Sequence, residues 1–318
     1  MKRLVIVLLV LALVSLALYA GVRVRRWRRA EKEKRLREIH TLTGDVTSHP
    51  DFRSRILGGK RRIWVYLPPS YGSDPERRFP VLYLQDGQNV FDGATAFLAG
   101  REWEADETAE RLIDDGRIEP LIIVAVDNGG ERRIDEYTPA PDARDHGGGA
   151  DLYGRMLTEE LKPWVDQTYR TRPDREDTGI GGSSLGALVS LWVGLSHPEI
   201  FGKIAALSPS VWWDDGYILR FVAALPEKPD TRIWVDIGTK EGGRSLADAR
   251  RLRDALLARG WREGRDLRYV EAAGARHGES AWAKRFPEVL EFLYPPRPPE
   301  SAPARPSPGS PPGGPTAR

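Results

Sequence analysis

The sequence predicts an α/β fold built on one open, mostly parallel β-sheet, and three observations carry that expectation. Short β-branched and aromatic runs alternate with longer amphipathic segments across residues 46–294, the order of elements that places helices on the faces of a parallel sheet. Several runs, such as LIIVAV at 121–126, are apolar without alternation, as strands covered on both faces must be. The stretch GIGGSSLGAL at 179–188 passes from a strand pattern to a helix pattern through a glycine-rich turn.

Taken in order, strands are expected at 62–67 (RIWVYL), 81–85 (VLYLQ), 121–126, 178–181, 203–207 (KIAAL), 233–237 (IWVDI) and 267–271 (LRYVE). Helices are expected at 102–114, 151–168, 184–195, 245–259 and 281–292. Right-handed crossovers would join these into a single sheet. No internal repeat is present. A chain of 318 residues can hold one large α/β domain or two small ones.

Both ends differ from this body. Residues 4–22, LVIVLLVLALVSLALYAGV, form an unbroken apolar run, and at 1.5 Å per residue about nineteen residues nearly cross a ~30 Å hydrocarbon core. An uncleaved anchor is expected, with a cleaved signal peptide as the alternative, because Ser15-Leu16-Ala17 and Leu18-Tyr19-Ala20 resemble small-residue cleavage sites. Either reading points to a membrane-anchored or exported protein of a bacterial-type envelope. Nine Arg or Lys residues against two Glu follow over residues 23–37, which favours a cytoplasmic position for that stretch, whereas the short Lys2-Arg3 head favours export. Residues 295–318, PPRPPESAPARPSPGSPPGGPTAR, lack apolar periodicity and are expected to be disordered. The expected organisation is therefore an N-terminal segment 1–45, a folded body 46–294 and a tail 295–318. The net charge of +2 supplies no reason to expect nucleic acid as a partner. Absence of cysteine excludes disulfides, thiolate metal sites and cysteine nucleophiles.

Within GIGGSSLGAL, a nucleophilic serine at a strand-to-helix turn needs small residues two positions away on either side. Centring G-x-S-x-G on Ser183 meets Leu185 and fails; centring it on Ser184 finds Gly182 and Gly186. Ser184 is the expected nucleophile. The motif alone is weak, but a strand before and a helix after are the context it requires.

A serine needs a base. Of five histidines, His40, His49, His146 and His197 fall in charged, polar, loop or helix-end positions. His277 follows the last expected strand, where the order Ser…Asp/Glu…His places the base. The acid belongs between them, just beyond a strand. Glu241, in the loop after the 233–237 strand, is preferred; Asp236 within the strand is the alternative, followed by Asp248 or no acid. An oxyanion hole needs backbone N–H donors. Leu185, directly after the nucleophile, and Gln88, in the Asp86-Gly87-Gln88-Asn89 loop, are the expected pair.

The combination Leu84-Gln85-Asp86-Gly87-Gln88-Asn89-Val90-Phe91-Asp92, Gly182-Ser183-Ser184-Leu185-Gly186, Gly238-Thr239-Lys240-Glu241 and His277 resembles the esterase D / enterochelin-esterase-like family of α/β-hydrolases. That family also includes feruloyl and acetylxylan esterases, S-formylglutathione hydrolases and mycolyltransferases. Similar stretches are 127–133, 136–139 and 208–213, DNGGERR, EYTP and SPSVWW. The resemblance covers about residues 46–294 and implies an α/β-hydrolase fold, with helices on both sheet faces and a serine–histidine pair cleaving carboxylic esters. It implies a small-molecule, glycan or siderophore-type ester as substrate and leaves the particular ester open. An acyltransferase on the same machinery and a non-catalytic binding domain are the rival functions. For the pocket, Trp212-Trp213 could wall the acyl or alcohol side or pack in the core. Arg132 and Arg133 could meet an anionic group or form a solvated pair. Neither clustered histidines nor a His-x-x-x-His helix occurs, so no metal is expected, and no cofactor.

Overall fold

The computed structural model describes residues 2–143 and 146–297, with side chains from Leu18 onward. Eight strands form one sheet in the order β1-β2-β4-β3-β5-β6-β7-β8. They are β1 (Asp45–Arg53), β2 (Lys60–Leu67), β3 (Val81–Gln85), β4 (Ile122–Val126), β5 (Thr178–Ser183), β6 (Lys203–Leu207), β7 (Arg232–Gly238) and β8 (Leu267–Ala272). β1 pairs antiparallel with β2 and β2 antiparallel with β4; from β4 to β8 every pairing is parallel. The mostly parallel sheet expected from the apolar runs is present.

Side chains alternate across the sheet with the two-residue period of a strand. Val81 and Tyr83 of β3, with Ile122, Val124 and Val126 of β4, join one buried cluster. Leu82, Leu84, Ile123 and Ala125 join the other. Helix α1 (Lys2–Arg37) precedes the sheet, and α2 (Ala105–Asp114) follows β3. The run at 150–168 forms α3, and after it come α4 (Leu185–Ser196), α5 (Tyr217–Ala224), α6 (Gly243–Ala258), α7 (Glu279–Ala283) and α8 (Phe286–Leu293). Residues of α3, α4, α5 and α6 fill the first cluster, and residues of α2 and α8 the second. Helices on both faces explain why the central strands read as unbroken apolar runs.

Three elements depart from expectation. β1 reads DVTSHPDFR and is mostly exposed; an edge strand with water on one side keeps polar residues, and Pro50 is tolerated where the register shifts between His49 and Phe52. Within α3, residues Met156–Leu161 widen to a π turn. Pro163 lacks an N–H and its ring crowds the preceding turn, which the wider turn accommodates. The expected 281–292 helix is two, α7 and α8, because Pro287 opens a new first turn.

Among the described residues no helix is long and apolar enough to cross a membrane. The apolar run at 4–22 lies in α1, but its residues up to 17 fall outside the described side chains. Residues 298–318 of the proline-rich tail also lie outside the described residues. Upstream of residue 46, the chain already packs on the body. His40 Nδ1 lies 2.7 Å from Asp92 Oδ2, Thr43 N–H donates to Asp106 Oδ2 at 2.7 Å, and Thr41 Oγ1 donates to Glu102.

Candidate active site

Ligands of open α/β sheets gather beyond the carboxyl ends of the strands. β3 ends at Gln85 before the Asp86–Asn89 loop, β5 at Ser183 before Ser184, and β7 at Gly238 before Glu241. His277 follows β8.

Ser184 has φ 58° and ψ −121°, a conformation that side-chain-bearing residues avoid at about 1–3 kcal/mol. The bend is held from both sides: Ser184 N–H donates to Leu207 O at 3.0 Å, and Ser210 N–H donates to Ser184 O at 3.1 Å. A side chain is excluded at Gly182 and crowded at Gly186. A Cβ on Gly182 would lie 2.8 Å from the Gly186 carbonyl, and one on Gly186 would lie 3.1 Å from Asp86 Oδ2. The G-x-S-x-G spacing therefore reports backbone crowding at a tight turn. Ser184 Oγ is bonded to Ser210 Oγ at 3.3 Å.

His277 Nδ1 meets Glu241 Oε2 at 2.6 Å, and its ring stands edge-on to Trp282 at 4.9 Å. Burial raises the Glu241 carboxyl, but hydrogen bonds from His277, Ser208 and the Gly238 N–H outweigh it and hold the group below its ordinary range. Ser208 Oγ donates to Glu241 Oε1 at 2.7 Å. It also accepts from Trp282 Nε1 and Arg285 Nη2, both at 2.9 Å. Arg285 Nη2 reaches Asp236 Oδ1 at 2.9 Å. Asp236, fully buried, is held above the ordinary carboxylate range by that burial, in spite of Arg285. Of the three acids weighed from sequence, Glu241 faces the imidazole and Asp236 faces Arg285, Trp234 and the Ser208 N–H. Asp248 lies on α6 and bonds Arg251 at 3.1 Å.

The loop after β3 lies directly on β4. A Cβ on Gly87 would sit 2.7 Å from the Val126 carbonyl carbon and 2.8 Å from Asp127 N, so only glycine fits. Asp86 takes a left-handed conformation at φ 59°. Arg133 Nε and Nη2 donate to its two oxygens at 2.7 and 2.8 Å, and Asn128 Nδ2 donates to Oδ1 at 2.7 Å. Asn128 N–H donates to Gln88 Oε1 at 3.2 Å. Asn89 N–H closes the short turn on Asp86 O at 2.9 Å. Gln88, before the first N–H that the turn uses, and Leu185, first residue of α4, both stand where intrahelical bonding leaves the N–H unpaired.

A cleft of about 930 Å³ joins these parts, lined by Asp86, Gln88, Asn89, Asn128, Arg133, Ser184, His277 and Trp282, among others. Ser184, His277 and Gln88 are thus brought together, with Glu241 behind His277. Arg133 lines the cleft, yet its guanidinium forks onto Asp86 and stacks 5.2 Å from the Tyr137 ring, which makes it a brace of the loop. Trp212 is not among the lining residues; it is 47% exposed and lies 5.7 Å from Trp213. Trp213 is buried and donates through Nε1 to Ala140 O at 2.8 Å. Arg132 donates to Leu57 O at 3.1 Å and does not line the cleft. Sequence reasoning missed Ser208, Ser210, Trp282 and Arg285 as site residues. For Ser208 and Ser210 the signal was the Ser-Pro-Ser directly beyond a strand end; Trp282 and Arg285 carried none. Among the described residues no group of three or more His, Asp or Glu side chains is arranged to hold a metal ion.

An eight-stranded, mostly parallel sheet with helices on both faces and a serine at its strand-to-helix elbow defines an α/β-hydrolase. Residues 54–293 match the family described as "Putative esterase", and the chain belongs to that family. It is 30% identical over 255 residues to the uncharacterized protein YbbA of Bacillus subtilis, covering 76% of this chain and 95% of the relative. It is 26% identical over 211 residues to the ferri-bacillibactin esterase BesA of the same organism, covering 59% and 68%. The structure of an IroE-like serine hydrolase from Shewanella oneidensis shares the fold with a TM-score of 0.62 and 19% identity, covering 79% of this chain and 80% of that one.

Proposed function

We propose that the protein is a serine esterase, a carboxylic ester hydrolase working through an acyl-enzyme on Ser184. One observation carries this reading: a strained elbow serine and an imidazole bonded to Glu241 share one open cleft. With Glu241 kept as a carboxylate, His277 holds its proton on Nδ1 and leaves Nε2 free to accept. As substrate enters, the Ser184 hydroxyl turns from Ser210 toward His277, a bond that free enzymes often lack. Nε2 takes the hydroxyl proton while Oγ attacks the ester carbonyl carbon. The negative oxygen is met by the N–H groups of Gln88 and Leu185. The imidazolium then protonates the departing alcohol. Water, deprotonated by the same Nε2, attacks the acyl carbon and frees the acid and Ser184.

The His277 side chain is 46% exposed, so water reaches the base, and the added-alcohol arm of the test separates hydrolysis from transfer. Siderophore-type esters are the first class to try, given what the ferri-bacillibactin esterase is named for. The test is fluorophosphonate labelling followed by a panel of short-acyl, feruloyl and catecholate esters, with added alcohols to reveal transfer. Labelling at Ser184 and release of free acid are expected. Absence of labelling with no ester cleaved would overturn the reading in favour of a binding domain.

The apolar run at 4–22 is proposed to hold the enzyme at a membrane as a retained anchor. Its length matches a hydrocarbon core, and the nine basic residues that follow suit anionic headgroups at roughly 1 kcal/mol each.

A further inference from the structure

The last turn of α1 is seated on the catalytic body beside the cleft. A Cβ on Gly100 would lie 3.1 Å from Leu36 Cδ2, so the helix end packs closely there. Arg37 Nη1 donates to the carbonyls of Ala94 and Ala96, both at 3.3 Å. Its Nη2 donates to Glu33 Oε1 at 3.0 Å and to Phe97 O at 3.5 Å. The segment so gripped is bonded in turn to the loop after β3. Phe97 N–H donates to Asn89 Oδ1 at 2.7 Å, and Thr95 Oγ1 donates to Gln88 O at 2.9 Å. Glu33, Arg37, Phe97 and Leu98 all line the cleft that holds Ser184 and His277. Phe97 is 75% exposed and Leu98 46%.

Two large apolar side chains left in water on the wall of a reaction cleft are surface that a substrate can cover. On the esterase reading Gln88 donates to the ester carbonyl oxygen, and the Phe97 segment is bonded to the same loop, so Phe97 and Leu98 flank the ester group. We propose that Phe97 and Leu98, held in place by Arg37 of α1, form an acyl subsite that selects esters with an apolar acyl group of several carbons. Arg37 is a positioning residue. The helix that carries the apolar run would thereby also help to set the substrate. This inference rests on the esterase reading.

The test uses the full chain in detergent and compares kcat/KM for p-nitrophenyl hexanoate and p-nitrophenyl acetate. Covering a phenyl side chain is worth roughly tenfold or more in affinity. Phe97→Ser should therefore lower the hexanoate-to-acetate ratio about tenfold, mainly through KM. Arg37→Ala should lower the same ratio, and the double variant should fall little further, since both act on one subsite. Leu257→Ser, which removes an exposed apolar side chain from α6 outside the cleft, should leave the ratio at the unaltered value. Equal losses on both esters, with the ratio unchanged in Phe97→Ser and Arg37→Ala, would overturn the subsite and leave the esterase reading standing. Failure of the unaltered chain to cleave either ester or to take the fluorophosphonate label would overturn both.

Discussion

Ser184 is held at φ 58° by bonds to Leu207 and from Ser210, whereas Ser183 is buried at the end of β5. Ser184→Ala should lower ester turnover by roughly three orders of magnitude or more, and His277→Ala by a similar factor, because members of one catalytic unit are not additive. Ser183→Ala should keep most of the activity; steady-state kinetics on p-nitrophenyl acetate checks all three. Glu241 offers a second measurement. Its folded-state carboxyl titrates below the ordinary value of 4.5, so its ionised form stabilises the fold above that pH, and the stabilisation is lost as pH falls through the folded value. Urea unfolding of Glu241→Gln should show a deficit at pH 7 that shrinks toward pH 3. A deficit that grows on acidification would mean that the carboxyl is not the ionised partner of His277.

The loops after β6 and β7 and helix α7 meet at Ser208, which joins Glu241, Trp282 and Arg285 through hydrogen bonds. Arg285 is the only cation bonded to the fully buried Asp236 among the described residues. Removing one partner of a buried pair commonly costs about 3–5 kcal/mol, and Arg285→Met should destabilise by that order in urea unfolding. The pH dependence gives the sign. Asp236 already lies above its ordinary range and would rise further without Arg285, so the variant should lose stability as pH climbs from 4 to 8. A uniform loss across that range would show that packing, not the carboxylate, is responsible. Activity should fall as well, because Glu241 loses the Ser208 geometry that orients it.

Across the whole molecule, the segment between α1 and β1 is stitched to the body by Thr41, Thr43 and His40. The carboxyls it meets are burdened by burial, which pushes Glu102 up to about 7 and Asp106 up to about 9. With these carboxyls largely protonated near neutral pH, hydrogen bonds to them are worth about 0.5–1.5 kcal/mol each, and at this size 1 kcal/mol moves Tm by roughly 2–4 °C. A chain beginning at residue 45 should therefore melt about 5–10 °C below one beginning at residue 36, measured by calorimetry. Equal melting temperatures would mean that the segment contributes nothing. The proposed anchor is tested separately: high salt should fail to release the full-length protein from membranes, since burial of an apolar run is independent of charge. Release by salt alone would refute it, and a mature N-terminus at Val22 or earlier would show a cleaved signal instead.

Spacing and periodicity are properties of neighbouring residues, and what they encode was legible in the chain. Gly182 and Gly186 single out Ser184 because crowding within five consecutive residues is a local matter. The unbroken runs of β3 and β4 reveal two covered faces because each strand carries its own burial pattern. Chain order placed His277 after the last strand and an acid beyond β7, since crossover topology ties strand ends to sequence position, but it left Glu241, Asp236 and Asp248 open, and only the bond to His277 separates them. β1 escaped because an edge strand facing water has no apolar pattern to read. Arg133 and Trp212 were open choices from sequence. The fork onto Asp86, 47 residues away, and the inward turn of Trp213 in place of Trp212 settle where each side chain lies. The bond from Arg285 to Ser208 spans 77 residues and those from Arg37 to the Phe97 segment about 60. No periodicity connects residues so far apart; only the assembled sheet, with its helices packed on both faces, brings them within hydrogen-bond reach.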